Sequence, residues 1–81
     1  MNNNELDKYF GKMIRSKREE HKITQEKLAE LVGISTTYLR GVEHGNHSIT
    51  WKNWLRICKL LQLDVNDLIE KVQLNSDNQM L

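Results

Sequence analysis

The sequence has no proline and one cysteine, Cys58, in 81 residues. A single cysteine excludes any disulfide within the chain, which fits a reducing compartment and a cytoplasmic protein. Long apolar runs are missing too. No stretch approaches the roughly 20 apolar residues of a membrane span. The opening residues, Met1 to Lys8, carry none of the apolar run of a secretory signal. A membrane is therefore not an expected partner. An excess of one charge is also lacking: 12 basic and 11 acidic side chains leave a formal net charge of +1. That argues against a purely electrostatic nucleic-acid binder. No segment alternates apolar and polar residues as a strand does. A chain this short forms one small domain and buries little core, so oligomerisation is its readiest further source of stability.

Catalytic patterns are absent as well. There is no nucleophile elbow, no glycine-rich phosphate loop and no paired catalytic carboxylates, so no enzyme is expected. His44 and His47 stand three apart beside Glu43, but Gly45 ends the helix between them. They share no helical face, and zinc needs three or four ligands. No metal, cofactor or small-molecule ligand is expected. Cys58 lies on an apolar helical face without a base beside it and reads as a small core residue.

What is present is helical patterning. Leu6, Phe10, Met13 and Ile14 follow a helical repeat, so residues 5–21 form the first helix, interrupted only by Gly11, which weakens it by ~1 kcal/mol relative to alanine. Thr24 caps a second helix, Gln25 to Val32, whose Leu28, Ala29 and Val32 share one face. Lys27 occupies the position where a capping box would place Glu or Gln. Gly33 stops that helix in the left-handed conformation, Ile34 plugs the turn, and Ser35 caps a third helix, Thr36 to His44. Thr50 caps a fourth, running from Trp51 to Leu61. Asp64 caps a fifth, Val65 to Lys71. Residues 1–4 are expected to be a disordered start, 5–72 the folded domain and 73–81 a flexible polar tail. The fold class is all-α, with five short helices.

Two short helices about a glycine turn form the helix-turn-helix signature, whose second helix enters the DNA major groove. Charge distribution allows this at low net charge. Lys8, Lys12, Arg15, Lys17, Arg18 and Lys22 crowd the first helix, and Asp64, Asp67 and Asp77 come late. On the third helix Leu39 and Val42 take the inner face. Ser35, Thr36, Thr37, Tyr38, Arg40 and Gly41 are left at its start or on one flank. Arg40 alone among them carries a fork able to grip guanine or phosphate. Ser35 also reads as a cap, and Tyr38 as half-buried packing. Gly41, without a side chain, lets the helix lie close to DNA or to the second helix. Gln25 sits at a helix N-terminus, where free N–H groups suit a phosphate. Asn46, His47 and Ser48 can reach phosphates from a loop. Arg15 is a phosphate contact or a solvated arginine.

The spacing of Arg15, Arg18, Thr24-Gln25, Leu28-Ala29, Val32-Gly33-Ile34-Ser35, Leu39, Val42-Glu43, Gly45, Ile57 and Leu61 resembles the lambda-repressor-like, or XRE-type, helix-turn-helix regulators. Within that group Thr37 to Glu43 and Ser48 to Thr50 look like the controller proteins of restriction–modification systems. The resemblance implies a lambda-repressor-like domain with its helix-turn-helix at the second and third helices. It implies Thr36, Thr37 and Arg40 at base edges and Gln25 on the DNA backbone. It also implies an Arg18–Glu43 pair that ties the first helix to the third. Thr36 departs from the pattern, since such controllers usually carry a guanine-reading arginine there, and threonine cannot make that bidentate contact.

The expected partners are a double-stranded operator and a second copy of the chain. The last two helices carry more apolar side chains than one face of each can bury. Leu55, Leu60, Val65, Leu68, Ile69 and Val72 are the candidate surface of an isologous homodimer, and Trp54 reads as core. Small domains of this fold also act as antitoxins, which makes a protein-interaction module the competing reading.

Overall fold

The computed structural model describes residues 3–64 and residue 66. Four helices lie within them: α1 (Asn3–Glu20), α2 (Gln25–Val32), α3 (Thr36–Glu43) and α4 (Trp51–Leu61). No strand occurs among the described residues, and no described helix is long and apolar enough to cross a membrane.

Each of the three shorter helices starts on a hydroxyl. The Lys27 N–H donates to Thr24 Oγ1 at 3.0 Å, the Tyr38 N–H to Ser35 Oγ at 3.0 Å and the Asn53 N–H to Thr50 Oγ1 at 3.3 Å. All three bonds satisfy a donor that the first helical turn leaves unpaired.

The four helices end alike. Ile23, Ile34, Asn46 and Leu63 each donate a backbone N–H back to the carbonyl of Arg18, Ala29, Gly41 and Cys58, respectively, five residues earlier. That bond defines a Schellman ending, and the residue before each donor must be left-handed. Those residues are Lys22, Gly33, Gly45 and Gln62, with φ of 58, 87, 79 and 60°. Gly33 and Gly45 take the conformation without a Cβ penalty. Lys22 and Gln62 do not, and the apolar residue after each holds it in place. Ile23 and Leu63 pack against the core, as does Ile34 after Gly33. An apolar residue after the turn is the usual companion of this motif.

The core consists of Ile14, Leu28, Ala29, Val32, Leu39, Val42, Trp54, Ile57, Cys58 and Leu61, all buried. Trp54 is a core residue, against which the Phe10 ring packs at a centroid separation of 5.1 Å. Cys58 is a free thiol in the core, and its burial pushes the thiol pKa up to about 11. It therefore stays protonated and poorly nucleophilic at neutral pH.

Gly11 marks the closest approach of α1 to α3. A Cβ built there would clash with the Val42 carbonyl oxygen and lie 2.9 Å from that of Glu43. Further along, a Cβ on Gly45 would lie 2.9 Å from Lys8 Cα. Together the two glycines seat α1 across the C-terminal half of α3. Two further ties bind the other elements. Arg56 Nη1 donates to the Val32 carbonyl at 3.1 Å, and His21 Nε2 lies 2.9 Å from the Leu61 carbonyl.

Three boundaries differ from the sequence expectation. α1 begins at Asn3, inside the segment expected to be disordered, and stops at Glu20 rather than residue 21. Glu5 in its first turn suits the positive helix end. α3 stops at Glu43, because His44 is its C-cap, before left-handed Gly45. The fifth helix is not established: the all-helical fold has four helices among the described residues, and Val65 and residues 67–81 lie outside them. At its expected start the Asn66 N–H donates to Asp64 Oδ1 at 2.9 Å, the bond a helix cap makes.

Candidate nucleic-acid interface

A buried ion pair anchors the candidate interface. Arg18 Nε donates to Glu43 Oε2 at 2.7 Å and Arg18 Nη2 to Glu43 Oε1 at 3.1 Å, a two-pronged fork from α1 onto α3. The remaining prong, Nη1, donates to the Ile23 carbonyl at 2.8 Å. The Glu43 side chain is 1% exposed and that of Arg18 11%. The hydrogen bond to Glu43 raises the Arg18 pKa above its ordinary value, outweighing the opposing effect of burial. The Arg18 charge thus stays fixed at any pH at which the domain works. The pair links the end of α1 to the last residue of α3, so the third helix cannot rotate without breaking it.

Gln25 joins this cluster. Its side-chain N–H donates to Glu43 Oε1 at 3.0 Å, which brings the first residue of α2 onto the same carboxylate. The spacing of Thr24 and Gln25 gives no sign of this third hydrogen bond, because its partner lies 18 positions away. A second amide hydrogen and the amide oxygen of Gln25 are not used in that bond.

Around the cluster Arg15, Arg18, Gln25, Arg40, Glu43 and His44 line one cleft. Arg40 and Arg15 are exposed at its rim. Arg15 holds Glu19 only loosely, at 3.7 Å, with both side chains more than half exposed. Such a surface pair contributes little and yields readily to a stronger anion.

At the start of α3, Ser35 uses its hydroxyl as the cap. Thr37 is exposed and Thr36 half-buried. Tyr38 is half-buried, and its hydroxyl donates to the Ser48 carbonyl at 2.6 Å. Its ring stacks on that of His47, with centroids 5.9 Å apart and 5° between planes. The Ser48 hydroxyl lies 3.0 and 3.1 Å from the two Asp7 carboxylate oxygens, to which it donates. Tyr38, His47 and Ser48 therefore fasten the loop after α3 to α3 and to α1. Asn46 is exposed beside them.

Gly41 corrects one expectation. The space over it is not open to a duplex or to α2. The His47 ring fills it, and a Cβ at Gly41 would clash with His47 Cδ2. None of these loop ties has a sequence signal, since Asp7 and Ser48 are 41 positions apart.

The arrangement brings one helix N-terminus, the exposed Arg15 and Arg40 and an outer helix face to the same side. Those are the parts of a protein that grips a duplex by its phosphates and reads it with one helix. Comparison with known proteins agrees. Residues 14–68 match the helix-turn-helix family, and the chain belongs to that family, as an XRE-type DNA-binding transcription regulator.

Two known proteins illustrate the kinship. The ImmF control region 10 kDa protein of Bacillus phage phi105 is 38% identical over 61 residues, which span 75% of this chain and 68% of the phage protein. The crystal structure of the clp gene regulator ClgR from Corynebacterium glutamicum is similar to this fold with a TM-score of 0.74. It shares 25% identity over 93% of this chain and 80% of its own.

Proposed function

We propose that the chain is an operator-binding regulator that sits as an isologous homodimer on a palindromic site. The observation that carries the reading is the outer side of α3. Thr37 and Arg40 stand exposed on a helix locked by the buried Arg18–Glu43 fork. In this reading Thr36, Thr37 and Arg40 meet base edges. Arg15 and Gln25 take phosphates, with Ser35 at the helix start. Asn46 and His47 reach phosphates from the loop, and Tyr38 and Ser48 position that loop. A bound regulator then represses or activates by where its operator lies.

Exposed apolar side chains support the dimer. Leu55 is 42% exposed, Leu60 39% and Trp51 59%, although α4 has already supplied Trp54, Ile57, Cys58 and Leu61 to the core. Val65, Leu68, Ile69 and Val72, the rest of the proposed surface, lie outside the described residues. Leu31, 48% exposed on α2, is a further apolar position beyond that surface. The finer reading, a restriction–modification controller, rests on the resemblance at Thr37 to Glu43 and Ser48 to Thr50. The description of the phage relative as a control-region protein supports a regulatory role more broadly.

Selection of bound duplexes from random DNA tests the proposal. The expected product is an inverted repeat with half-sites about one helical turn, ~34 Å, apart. Enrichment of a single unpaired half-site would remove the dimer from the proposal. Absence of any enriched sequence would remove the operator.

A further inference from the structure

We propose that α1 carries a second DNA-backbone track, the ridge Lys8–Lys12–Arg15, which grips phosphates flanking the base pairs read by α3. The inference rests on the operator reading above and extends its footprint along α1, from Arg15 back to Lys12 and Lys8.

The ridge follows from helical register. Lys8, Lys12 and Arg15 fall at i, i+4 and i+7, one stripe of α1. All three are exposed. Lys8 and Lys12 make no ion pair among the described residues, whereas Lys17 on another side of α1 lies 3.5 Å from Glu20. Glu5 and Glu19 bound the stripe at its ends.

Packing then aims it. The glycine contacts at Gly11 and Gly45 press α1 against the end of α3. One groove runs between the two helices, lined by Glu5, Lys8, Tyr9, Lys12, Arg15, Glu43 and His44, four of them basic or imidazole side chains against two carboxylates. Arg15, Glu43 and His44 also line the cleft that holds Gln25 and Arg40. The basic stripe is therefore continuous with the candidate interface. At ~1.5 Å of rise per residue, Lys8 to Arg15 spans roughly 10 Å. That is about the reach of two or three successive phosphates on one DNA strand.

Lysine suits a phosphate better than a base here. Its ammonium is a compact point charge on a flexible stem and lacks the rigid planar fork with which arginine fits a base edge. The ridge lies on α1, beside the helix that enters the groove. Contacts from such a place set register and affinity and carry no sequence information.

The test uses the full chain with Lys8→Gln and Lys12→Gln together, both exposed positions, and glutamine keeps the Cβ and Cγ by which Lys8 lies against Gly45. Binding is followed by fluorescence anisotropy on a selected duplex and on a random duplex of equal length, between about 50 and 200 mM salt. Loss of two phosphate contacts should flatten the log–log salt slope by about 1.8 and weaken binding roughly 10- to 30-fold near physiological salt. The ratio of selected to random affinity should not change. An unchanged slope with affinity within about twofold would overturn the proposal, and would leave the stripe as a solvated face or a site for an acidic protein. A changed ratio would overturn it too, because the lysines would then bear on base reading. If the wild-type chain shows no preference for any duplex yet the slope still flattens in the variant, the ridge stands and the operator reading falls.

Discussion

Replacing Glu43 with alanine should lower the unfolding free energy by about 3–5 kcal/mol, the usual loss when one partner of a buried ion pair is removed. Three hydrogen bonds converge on this carboxylate, two from Arg18 and one from Gln25. Without it the Arg18 guanidinium is a charge in a largely buried site, with only the Ile23 carbonyl left as a partner. A domain of this size has a total stability of roughly 0.05–0.15 kcal/mol per residue, so the loss approaches the whole. Arg18→Ala should act similarly, since it leaves a carboxylate stranded at 1% exposure. The double replacement Arg18→Met with Glu43→Leu removes both charges and should recover much of the loss. Urea denaturation followed by tryptophan fluorescence measures all three. A Glu43→Ala loss below about 1 kcal/mol would mean that the pair behaves as an exposed one.

Gly11→Ala should destabilise the domain by roughly 1–3 kcal/mol, the typical penalty for inserting a group into a filled contact. Helix propensity alone gives the opposite sign, a gain of ~1 kcal/mol for alanine. The structure decides between them. The added Cβ would meet the backbone carbonyls of Val42 and Glu43, and backbone cannot swing aside as a long side chain does. α1 would have to lift from α3, which would also strain the Arg18–Glu43 fork further along the same helix. Thermal melts of the two proteins give the sign directly. A higher midpoint for Gly11→Ala would show that the α1–α3 crossing has room to spare.

These two positions also show what a sequence can and cannot disclose. Leu28, Ala29, Val32, Leu39 and Val42 announce a buried face by their spacing, and all are buried. Thr24, Ser35 and Thr50 are legible as caps because capping depends on neighbours three residues away. The Arg18–Glu43 tie comes only through resemblance to known regulators, as no local rule links positions 25 apart. Gly11 reads as a weak point in a helix, since its true neighbour is an oxygen on another helix. Lys22 and Gln62 give no sign of their left-handed conformations, which belong to the turn geometry and to Ile23 and Leu63 beyond them. Gly41 has a free face in the sequence and a His47 ring over it in the fold. Local pattern thus reveals cores and caps. The ties that aim the recognition helix are long-range, and the chain order conceals them.

Arg40→Ala tests most directly whether the outer face of α3 reads bases. Affinity of the wild-type chain and the variant is measured by titration on a selected duplex and on a random duplex at one salt concentration. Arg40 is exposed and pairs with no carboxylate among the described residues, so its removal leaves the fold intact. The expected result is a loss of ~1–3 kcal/mol on the selected duplex, and a much smaller one on random DNA. An equal loss on both would make Arg40 a phosphate contact, and no loss on either would contradict the placement of the reading surface on α3.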